Sequence, residues 1–224
     1  MEPNIQVGDL VYVNYMADME NLQRSDIVIH RGTGPNKDKR LIKRIVAKPG
    51  DRIKLISATI TGHGRKPFEV TRYELNGQLV PLVYSGSHEG KFQLPESRGG
   101  APNSLFIETA GNRSYYILEE QSAFAPAEGE NRELVMGPNE FFLMGDNRDH
   151  AADSRYEGTV QRSQIIGKYL HTYFSLFIPN PECEIRHPVL LIWQMWAAEK
   201  TSPCHSVSVR WEKAGYVPPL WLNN

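Results

Sequence analysis

The sequence predicts a mostly β protein, built from an antiparallel, barrel-like core sheet and an inserted β subdomain. Short runs rich in β-branched and aromatic residues recur along the chain, and clusters of Gly, Pro, Asn and Asp separate them. Helical periodicity is nearly absent, and no internal repeat is found. With 224 residues, the chain is long enough for one sizeable core, alone or with a subdomain.

The first part of the chain predicts a series of strands separated by turns. A Pro-Gly-Asp turn signal at residues 49–51 ends the third strand. A hairpin is predicted at residues 74–80, because this segment contains the Asn-Gly dipeptide that favours a two-residue β-hairpin turn. The strands themselves are predicted at residues 7–14, 26–30, 41–46 and 52–61.

The composition changes between residues 81 and 131. Gly, Ser and Pro interrupt short apolar runs there, at residues 105–107 and 115–118. This pattern predicts an inserted β subdomain with mobile loops. Strands predicted at residues 140–144 and 165–174 then return to the core.

Charge and hydropathy exclude several classes of partner. The formal net charge is −1 and both signs are interspersed, so we expect no nucleic-acid partner. No apolar run approaches the roughly 18 residues that a membrane span needs, and the polar segment at residues 1–4 does not open a signal peptide. Taken alone, the chain is therefore expected to be soluble. No Cys/His spacing is typical of a metal site.

The region near the C-terminus leaves two questions open. Cys183 and Cys204 are compatible with one disulfide or with two reduced thiols. Residues 188–199 are apolar nearly all round and contain two tryptophans, which fits a helix lying at a lipid interface. A helix packed on the sheet, or a buried strand, fits the same residues.

Lys43 is a candidate general base. A lysine can take a proton only when neutral, so its pKa of about 10.4 must fall through burial in an apolar pocket. Leu41, Ile42, Ile45 and Val46 flank Lys43 on a predicted strand, and alternation puts Lys43 and Ile45 on one face. A neutral lysine beside a serine hydroxyl can activate it for attack on an amide.

Residues 145–155, Gly-Asp-Asn-Arg-Asp-His-Ala-Ala-Asp-Ser-Arg, predict a compact polar turn. Aspartate and asparagine side chains can cap such a turn by bonding to its backbone. We expect Arg148 and Arg155 to pair with Asp146 or Asp153, which would fix the geometry of the turn.

Four segments together resemble a known family. Besides residues 145–155, they are Lys-Arg-Ile-Val-Ala-Lys-Pro-Gly-Asp at 43–51, Met-Glu-Pro-Asn-Ile-Gln-Val-Gly-Asp at 1–9 and Ser-Asp-Ile-Val at 25–28. The combination resembles the type I signal peptidases, membrane-bound proteases that cut signal peptides from exported proteins with a serine nucleophile and a lysine base.

The resemblance implies roles for individual residues. Lys43 would be the base, and no metal or cofactor would be needed. The substrate would lie extended, pairing its backbone with Arg40, Leu41 and Ile42, while Met1, Ile5 and Ile42 would line pockets for small side chains. The residues expected to shape the site are Asp146, Asn147, Arg148, Asp153, Ser154 and Arg155.

The chain departs from the family pattern at two points. On this alignment the nucleophilic serine should lie one residue before Met1, outside the given sequence. The family also usually has a serine three residues after its Gly-Asp-Asn-Arg block, where it orients the lysine amine, and this chain has Ala151 there. Loss of one such hydrogen bond would cost about 1–3 kcal/mol of positioning.

The resemblance also implies an organisation and a location. The catalytic core would comprise residues 1–56, 134–178 and 207–217, with a β subdomain inserted at 57–133 and a second insertion, for which a helix is one of the interpretations, at 179–206. The partners would be signal peptides of secretory preproteins and a membrane surface. The catalytic part would face the outer, periplasmic side of a bacterial cytoplasmic membrane.

Two alternatives to an active signal peptidase remain open from the sequence. One is a catalytically inactive relative that binds extended peptides, which the absent serine and Ala151 favour. The other is a specialised peptidase that processes pilin-like or conjugation proteins, which the long middle insertion disfavours.

Overall fold

The structure, a computed structural model, describes residues 1–15, 21–32, 36–61, 67–87, 103–120, 133–177 and 208–209. Its one α-helix in these ranges is α1 (Ser154–Glu157), followed by a 3-10 turn at Arg162–Gln164. The strands in these ranges are β1 (Asp9–Asn14), β2 (Ile27–Arg31), β3 (Arg40–Ala47), β4 (Arg52–Ile60), β5 (Phe68–Leu75), β6 (Gln78–Leu79), β7 (Leu82–Ser87), β8 (Asn103–Ala110), β9 (Arg113–Glu120), β10 (Glu133–Val135), β11 (Glu140–Met144), β12 (Val160–Gln161), β13 (Ile165–Phe177) and β14 (Ser208–Val209).

The chain forms two compact units. The first contains Met1–Asn4 and Val13–Leu170, and the second contains Ile5–Tyr12 and His171–Asn224. The core sheet of the first unit has the order β13-β2-β3-β11-β12, and each of its described pairs is antiparallel. Strand β3 therefore lies in the middle of this sheet, with β2 on one edge and β11 on the other.

Alternation along β3 and β11 builds two apolar clusters on opposite faces of the core sheet. One cluster contains Ile45, Phe141 and Leu143, together with Val28 of β2. The other contains Val46, Phe142 and Met144, together with residues of β4 and β5. Consecutive residues of β3 thus face different surroundings, which matters for the two cations Lys43 and Arg44.

Two further sheets complete the first unit. One has the order β10-β4-β5-β6, and the other has the order β7-β8-β9. The predicted hairpin is confirmed, because Glu74 pairs with Leu79 across Asn76 and Gly77, whose φ angles are 52° and 79°. Positive φ at both central residues is what a two-residue hairpin turn of this type requires.

The second unit is described through β1, the end of β13 and β14. Leu176 of β13 pairs with Val209 of β14, and its backbone N–H donates to the carbonyl of Gly8 at 3.1 Å. The rings of Tyr12 and His171 stack with centroids 5.5 Å apart. These contacts tie the segment that opens the chain to the end of the long strand β13.

The prediction of a mostly antiparallel β fold is confirmed, although the core sheet is not closed into a barrel over the described residues. Strand ends differ from prediction by one to three residues, and strand 140–144 is as predicted. The suggestions for residues 188–199, Cys183 and Cys204 lie outside the described residues. No helix in the described part of the chain is long and apolar enough to cross a membrane. The predicted domain boundaries stay a prediction.

Candidate active site

Lys43 lies on the face of β3 that carries Ile45, as alternation predicted. It lines a small cavity with Leu143 and Val160, two members of the Ile45 cluster, and with His30 and Glu157. Lys43 forms no hydrogen bond or ion pair within the part of the chain that the structure describes. Asp153 and Ser154 line the same cavity, so Lys43 lies among both apolar and polar side chains.

Burial is the largest influence on the lysine amine. It lowers the pKa of Lys43 below the usual value of 10.5, and the nearby positive charge of Arg155 acts in the same direction. The negative charges of Asp153, Glu157 and Asp146 oppose this shift and do not cancel it. Loss of solvation without a compensating ion pair is what the proposed proton acceptor requires.

The turn at residues 145–155 is held from inside by Asp153. One of its carboxylate oxygens accepts from the backbone N–H of Gly145 at 2.9 Å, and the other accepts from the backbone N–H and the Nε of Arg155. Asp153 is also the N-cap of α1. Burial alone would lower the pKa of Arg155, but the charge and hydrogen bonds of Asp153 raise it above its usual value. The predicted pairing of Arg155 with Asp153 is present.

Ser154 fastens the same turn to strand β11. Its hydroxyl accepts a hydrogen bond from the backbone N–H of Leu143 at 3.0 Å, and its side chain is buried. This bond joins Ser154, which follows the N-cap residue Asp153, to β11, the strand that pairs with β3. Ser154 therefore holds the turn against β11, and its role in shaping the site stays a prediction.

Arg44, the neighbour of Lys43 on the opposite face, is fully engaged. Its guanidinium makes a bidentate pair with Asp146, with Nε–Oδ1 at 2.8 Å and Nη2–Oδ2 at 2.6 Å, and its Nη1 donates to the carbonyl of Ser25. The guanidinium carbon lies 3.9 Å from the centre of the Tyr115 ring. Asn4 adds a hydrogen bond to Asp146 Oδ2 at 2.6 Å. Asp146 thus connects β3, the N-terminal segment and the turn.

Arg148 has a different partner from the predicted ones. Its Nη2 donates to Glu108 Oε1 of β8 at 2.7 Å, and both groups are buried. The same oxygen accepts hydrogen bonds from the hydroxyls of Tyr73 and Tyr115. Burial acts to raise the pKa of Glu108, but Arg148 and the two hydroxyls hold it below its usual value. The expected pairing of Arg148 with Asp146 or Asp153 is wrong, because Arg44 and Arg155 occupy those carboxylates.

Backbone bonds fix the turn to β9. The N–H of Leu118 donates to the carbonyl of Asp146 at 2.9 Å, and the N–H of Arg148 donates to the carbonyl of Leu118 at 3.0 Å. Asn147, between them, donates to Glu2 at 3.4 Å and has a buried Oδ1 without a partner among the described residues. The turn is therefore held by strands from the predicted inserted region as well as by the core sheet.

Gly145 allows the turn to approach the lysine closely. A Cβ at this position would lie 2.4 Å from Cβ of Ala151 and 3.7 Å from Nζ of Lys43. A side chain at Gly145 would therefore collide with Ala151. The same two distances put the methyl group of Ala151, which offers no hydrogen bond, at most about 6 Å from the lysine amine.

The N-terminal amine of the chain also lies in this region. Burial lowers the pKa of the Met1 α-amino group, the charge of Asp146 raises it, and the charge of Lys43 lowers it. The Met1 nitrogen is therefore within electrostatic reach of both site residues. Among the predicted substrate-binding residues, Arg40, Leu41 and Ile42 lie on β3 beside Lys43, and Arg40 is exposed. Ile5 is buried and belongs to the second unit.

The sequence interpretation missed three residues of this region. His30 lines the lysine cavity, Glu108 holds Arg148, and Asn4 holds Asp146. Alternation along the predicted strand 26–30 could have placed His30 on the Lys43 side, given the register of β2 with β3. No sequence signal pointed to Glu108, because its pairing with Arg148 joins positions 40 residues apart.

A larger cavity of about 450 Å³ lies around Arg44, Asp26, Arg113, Lys168 and Tyr115. Asp26 is buried there and accepts from Arg113 Nη1 at 2.6 Å and from Lys168 Nζ at 2.7 Å. The basic side chains that line this cavity, Arg44, Arg113 and Lys168, are thus already paired with carboxylates. Across the described ranges, no group of three or more His, Cys, Asp or Glu side chains is arranged to hold a metal ion.

Comparison with known proteins gives a consistent result. The family model for signal peptidase, peptidase S26, matches residues 1–174. Signal peptidase I of Aquifex aeolicus (strain VF5) is 25% identical over 209 residues, covering 87% of this chain and 80% of that relative. Signal peptidase I of Haemophilus influenzae (strain Rd) is 31% identical over 220 residues, covering 79% of this chain and 61% of that relative. Signal peptidase I of Pseudomonas aeruginosa (strain PAO1) is 26% identical over 206 residues, covering 81% of this chain and 63% of that relative.

The matches to the Haemophilus and Pseudomonas proteins span less than two thirds of those relatives, which are therefore longer than the part aligned. The family model, in contrast, covers more than half of this chain and includes both motifs singled out from the sequence. As those motifs predicted, the chain belongs to the signal peptidase family of serine endopeptidases, peptidase S26.

Proposed function

We propose that this protein removes signal peptides from secretory preproteins by hydrolysing the peptide bond that follows a small residue, with Lys43 as the general base. The observation that carries the proposal is the lysine amine itself. It stands at the family's lysine motif, in a small cavity lined by both apolar and polar side chains, and its pKa is lowered chiefly by burial. A lowered pKa enlarges the neutral fraction of the amine at a given pH, and only the neutral form can accept a proton.

The reaction follows from that protonation state. Neutral Nζ of Lys43 would take the hydroxyl proton of a serine as its oxygen attacks the scissile carbonyl carbon. The resulting ammonium would then give its proton to the leaving amine, which completes acyl transfer to the serine. Attack by water, with the same lysine as base, would release the product and restore the serine.

The position of Met1 supports a nucleophile directly upstream of it. The Met1 nitrogen lies within electrostatic reach of Lys43. A residue bonded to that nitrogen would therefore lie in the neighbourhood of Lys43 and Asp146, where the family alignment puts the serine. Asp146 and its partners Arg44 and Asn4 hold the turn next to this position.

An unpaired edge of β3 supports binding of an extended substrate. Strand β2 pairs with Arg40–Arg44 on one edge, whereas β11 pairs only with Arg44–Ala47 on the other. Within the described residues, no strand covers the second edge of Arg40, Leu41 and Ile42. A peptide adding there would form main-chain hydrogen bonds and carry its scissile bond toward Lys43.

The same proposal includes a site of action. The relatives are signal peptidases I of bacteria, and their substrates by name are signal peptides. Signal peptides emerge at the outer face of the bacterial cytoplasmic membrane. We infer that the protein works at that membrane surface on extended segments of preproteins.

Cleavage of a preprotein by the full-length protein, with the residue before Met1 present, tests this proposal. The substrate carries Ala at the first and third positions before the cut. We expect cleavage after the first of these, and we expect Lys43→Met to reduce kcat/KM by about 10⁴-fold or more, because the general base is lost. Lys48→Met is the matched control, since Lys48 is a partly exposed lysine whose Nζ bonds to Gln23.

Three results would count against the proposal. Cleavage that survives in Lys43→Met, or that falls equally in Lys48→Met, would exclude Lys43 as the base. Binding of the substrate peptide by the full-length protein without any cleavage would instead indicate an inactive, peptide-binding relative.

A further inference from the structure

A buried histidine faces the lysine from the neighbouring strand. His30 is 4% exposed, and its Nδ1 lies 3.0 Å from the carbonyl oxygen of Arg31. A carbonyl oxygen can only accept, so Nδ1 carries the proton of the neutral ring. Nε2 is then an acceptor, and it has no partner among the described residues. A buried, unsatisfied acceptor of this kind calls for a physical explanation.

The register of β2 with β3 brings this acceptor to the lysine side of the sheet. Val28 is opposite Lys43, and His30 is opposite Leu41. Opposite residues of an antiparallel pair share a face, so His30 and Lys43 are diagonal neighbours on one face, a separation that long side chains can bridge. Both residues line the same cavity of about 10 Å³, which is close to the space that one water molecule needs.

The turn at residues 145–155 supplies no such acceptor at the corresponding point. Ala151 lies near the lysine amine, where the family usually has a serine. Ser154 uses its hydroxyl oxygen for the N–H of Leu143, and Asp153 uses both carboxylate oxygens for Gly145 and Arg155. Among the described residues, the lysine amine therefore has no orienting hydrogen bond and, across the same cavity, a ring nitrogen has no donor.

We propose that His30 is a positioning residue for Lys43, and that its Nε2 accepts a water-mediated hydrogen bond from the lysine amine, in place of the serine that the family has at the position of Ala151. The structure shows no direct hydrogen bond between the two groups, so the bond runs through the one water molecule for which the cavity has room. It turns the lone pair of neutral Nζ away from His30 and toward the serine hydroxyl. This inference rests on the proposed role of Lys43 as base.

The electrostatic surroundings favour the neutral form of His30, which the proposal requires. Burial lowers the pKa of His30 below its usual value, and the charge of Lys43 lowers it further. The hydrogen bond to Arg31 and the charge of Glu157 act in the opposite direction and do not cancel these effects. Asp153, the other acidic group on the cavity, is engaged by Arg155. A neutral ring with its proton on Nδ1 is the acceptor form.

The first experiment does not depend on activity. Ring ¹⁵N chemical shifts of His30 are measured by NMR in the 224-residue chain, with the resonances assigned from their absence in His30→Gln. We expect an unprotonated Nε2, and we expect its shift to change in Lys43→Met and to stay unchanged in Lys48→Met. A proton on Nε2, or an Nε2 chemical shift that stays the same in Lys43→Met, would overturn the proposal.

The second experiment measures cleavage by the full-length protein. His30→Leu removes the acceptor and should lower kcat by about 10- to 100-fold with little change in KM. His30→Gln keeps an acceptor near the position of Nε2 and should retain most of the activity. Adding Ala151→Ser to His30→Leu should recover about tenfold or more, because the serine restores an orienting hydrogen bond.

The outcomes separate this inference from the proposed function. If His30→Leu cleaves like the wild type, or if neither His30→Gln nor Ala151→Ser restores what His30→Leu loses, His30 is structural and the inference fails. If the wild-type protein does not cleave at all, the proposed function fails, and the NMR result alone decides whether His30 is the acceptor for Lys43.

Discussion

The two faces of strand β3 place two neighbouring basic side chains in different surroundings, and the pKa shifts of these side chains have opposite signs. Lys43 faces a cavity lined in part by Leu143 and Val160, forms no ion pair within the described residues, and has a lowered pKa. Arg44, one residue later, is buried against Asp146 in a bidentate pair and has a raised pKa. Burial lowers the pKa of both groups, and only the presence of a partner on the Arg44 side reverses the sign.

This difference shows how one strand can supply both a reactive group and the frame that holds it. A buried cation without a partner pays a desolvation penalty that favours its neutral form, which suits a base. A buried cation with a bidentate carboxylate stays charged and fixes geometry. On the Arg44 face, the network continues through Tyr115 to Glu108 and Arg148, so the turn beside Lys43 is held from behind.

The largest expected effect separates the two faces by stability. Arg44→Met should lower the free energy of unfolding by about 3–5 kcal/mol, because it leaves the carboxylate of Asp146 buried without its partner. Lys43→Met should leave the free energy of unfolding unchanged or raise it, since it removes an amine whose charged form is disfavoured by burial. Urea denaturation of both variants at neutral pH measures the difference.

The pH dependence of the Lys43 variant sharpens this test. Because the folded pKa of Lys43 is lowered, the folded state binds fewer protons than the unfolded state as pH approaches 10.5. The wild type should therefore gain stability relative to Lys43→Met as pH rises toward that value. If Arg44→Met and Lys43→Met lowered the free energy of unfolding equally at every pH, the two faces of β3 would not differ in how they stabilise their basic side chains.

The next effect concerns the frame behind the turn. Glu108→Gln keeps the size of the side chain but removes the charge that compensates Arg148, so we expect a loss of about 2–4 kcal/mol of unfolding free energy. The full-length protein should also lose catalytic activity, because Arg148 belongs to the turn that surrounds the lysine. Thermal unfolding and the cleavage assay measure the two losses.

Glu133→Gln is the matched control for that variant. Glu133 pairs with Arg52, but both side chains are largely exposed, at 42% and 60%. An exposed pair contributes little, so Glu133→Gln should change stability by less than about 1 kcal/mol. A loss in Glu133→Gln as large as that in Glu108→Gln would mean that burial of the Glu108 pair has no special consequence.

How much of this site was predictable depends on the sequence distance over which each feature acts. Strand alternation places Lys43 on the Ile45 face, and the cap of Asp153 on α1 is a local pattern, so both follow from short segments. The pairing of Arg44 with Asp146 joins residues 102 positions apart. Charge and composition cannot choose among the available carboxylates at that range, which is why the partner of Arg148 was predicted wrongly.

The fold shows the same division. The hairpin at Asn76-Gly77 and the strand Glu140–Met144 were predictable because turn chemistry and alternation are local. The open order of the core sheet was not, since it depends on which strands meet across large separations. The residues that connect the sheets, such as Glu108 and Tyr73, carry no local signal of their role.

A second buried carboxyl, that of Glu119, lies near the Arg44 face. Burial, followed by the charge of Asp149, raises the pKa of Glu119 to about 8, although Arg148 and Arg155 oppose the shift. The folded state therefore keeps this proton between pH 4.5 and 8, where the unfolded state loses it, so the wild type should lose stability as pH rises through that window. Glu119→Gln should abolish this loss, so that its free energy of unfolding equals that of the wild type near pH 5 and exceeds it by at least about 1 kcal/mol near pH 8.

Denaturation of both proteins at both pH values measures this difference in unfolding free energy. If Glu119→Gln differs from the wild type by the same amount at pH 5 and at pH 8, Glu119 is ionised in the folded protein. That result would place Glu119 with Glu108, as a carboxylate paired by the arginines of the turn, and would extend the fully compensated network of the Arg44 face to β9.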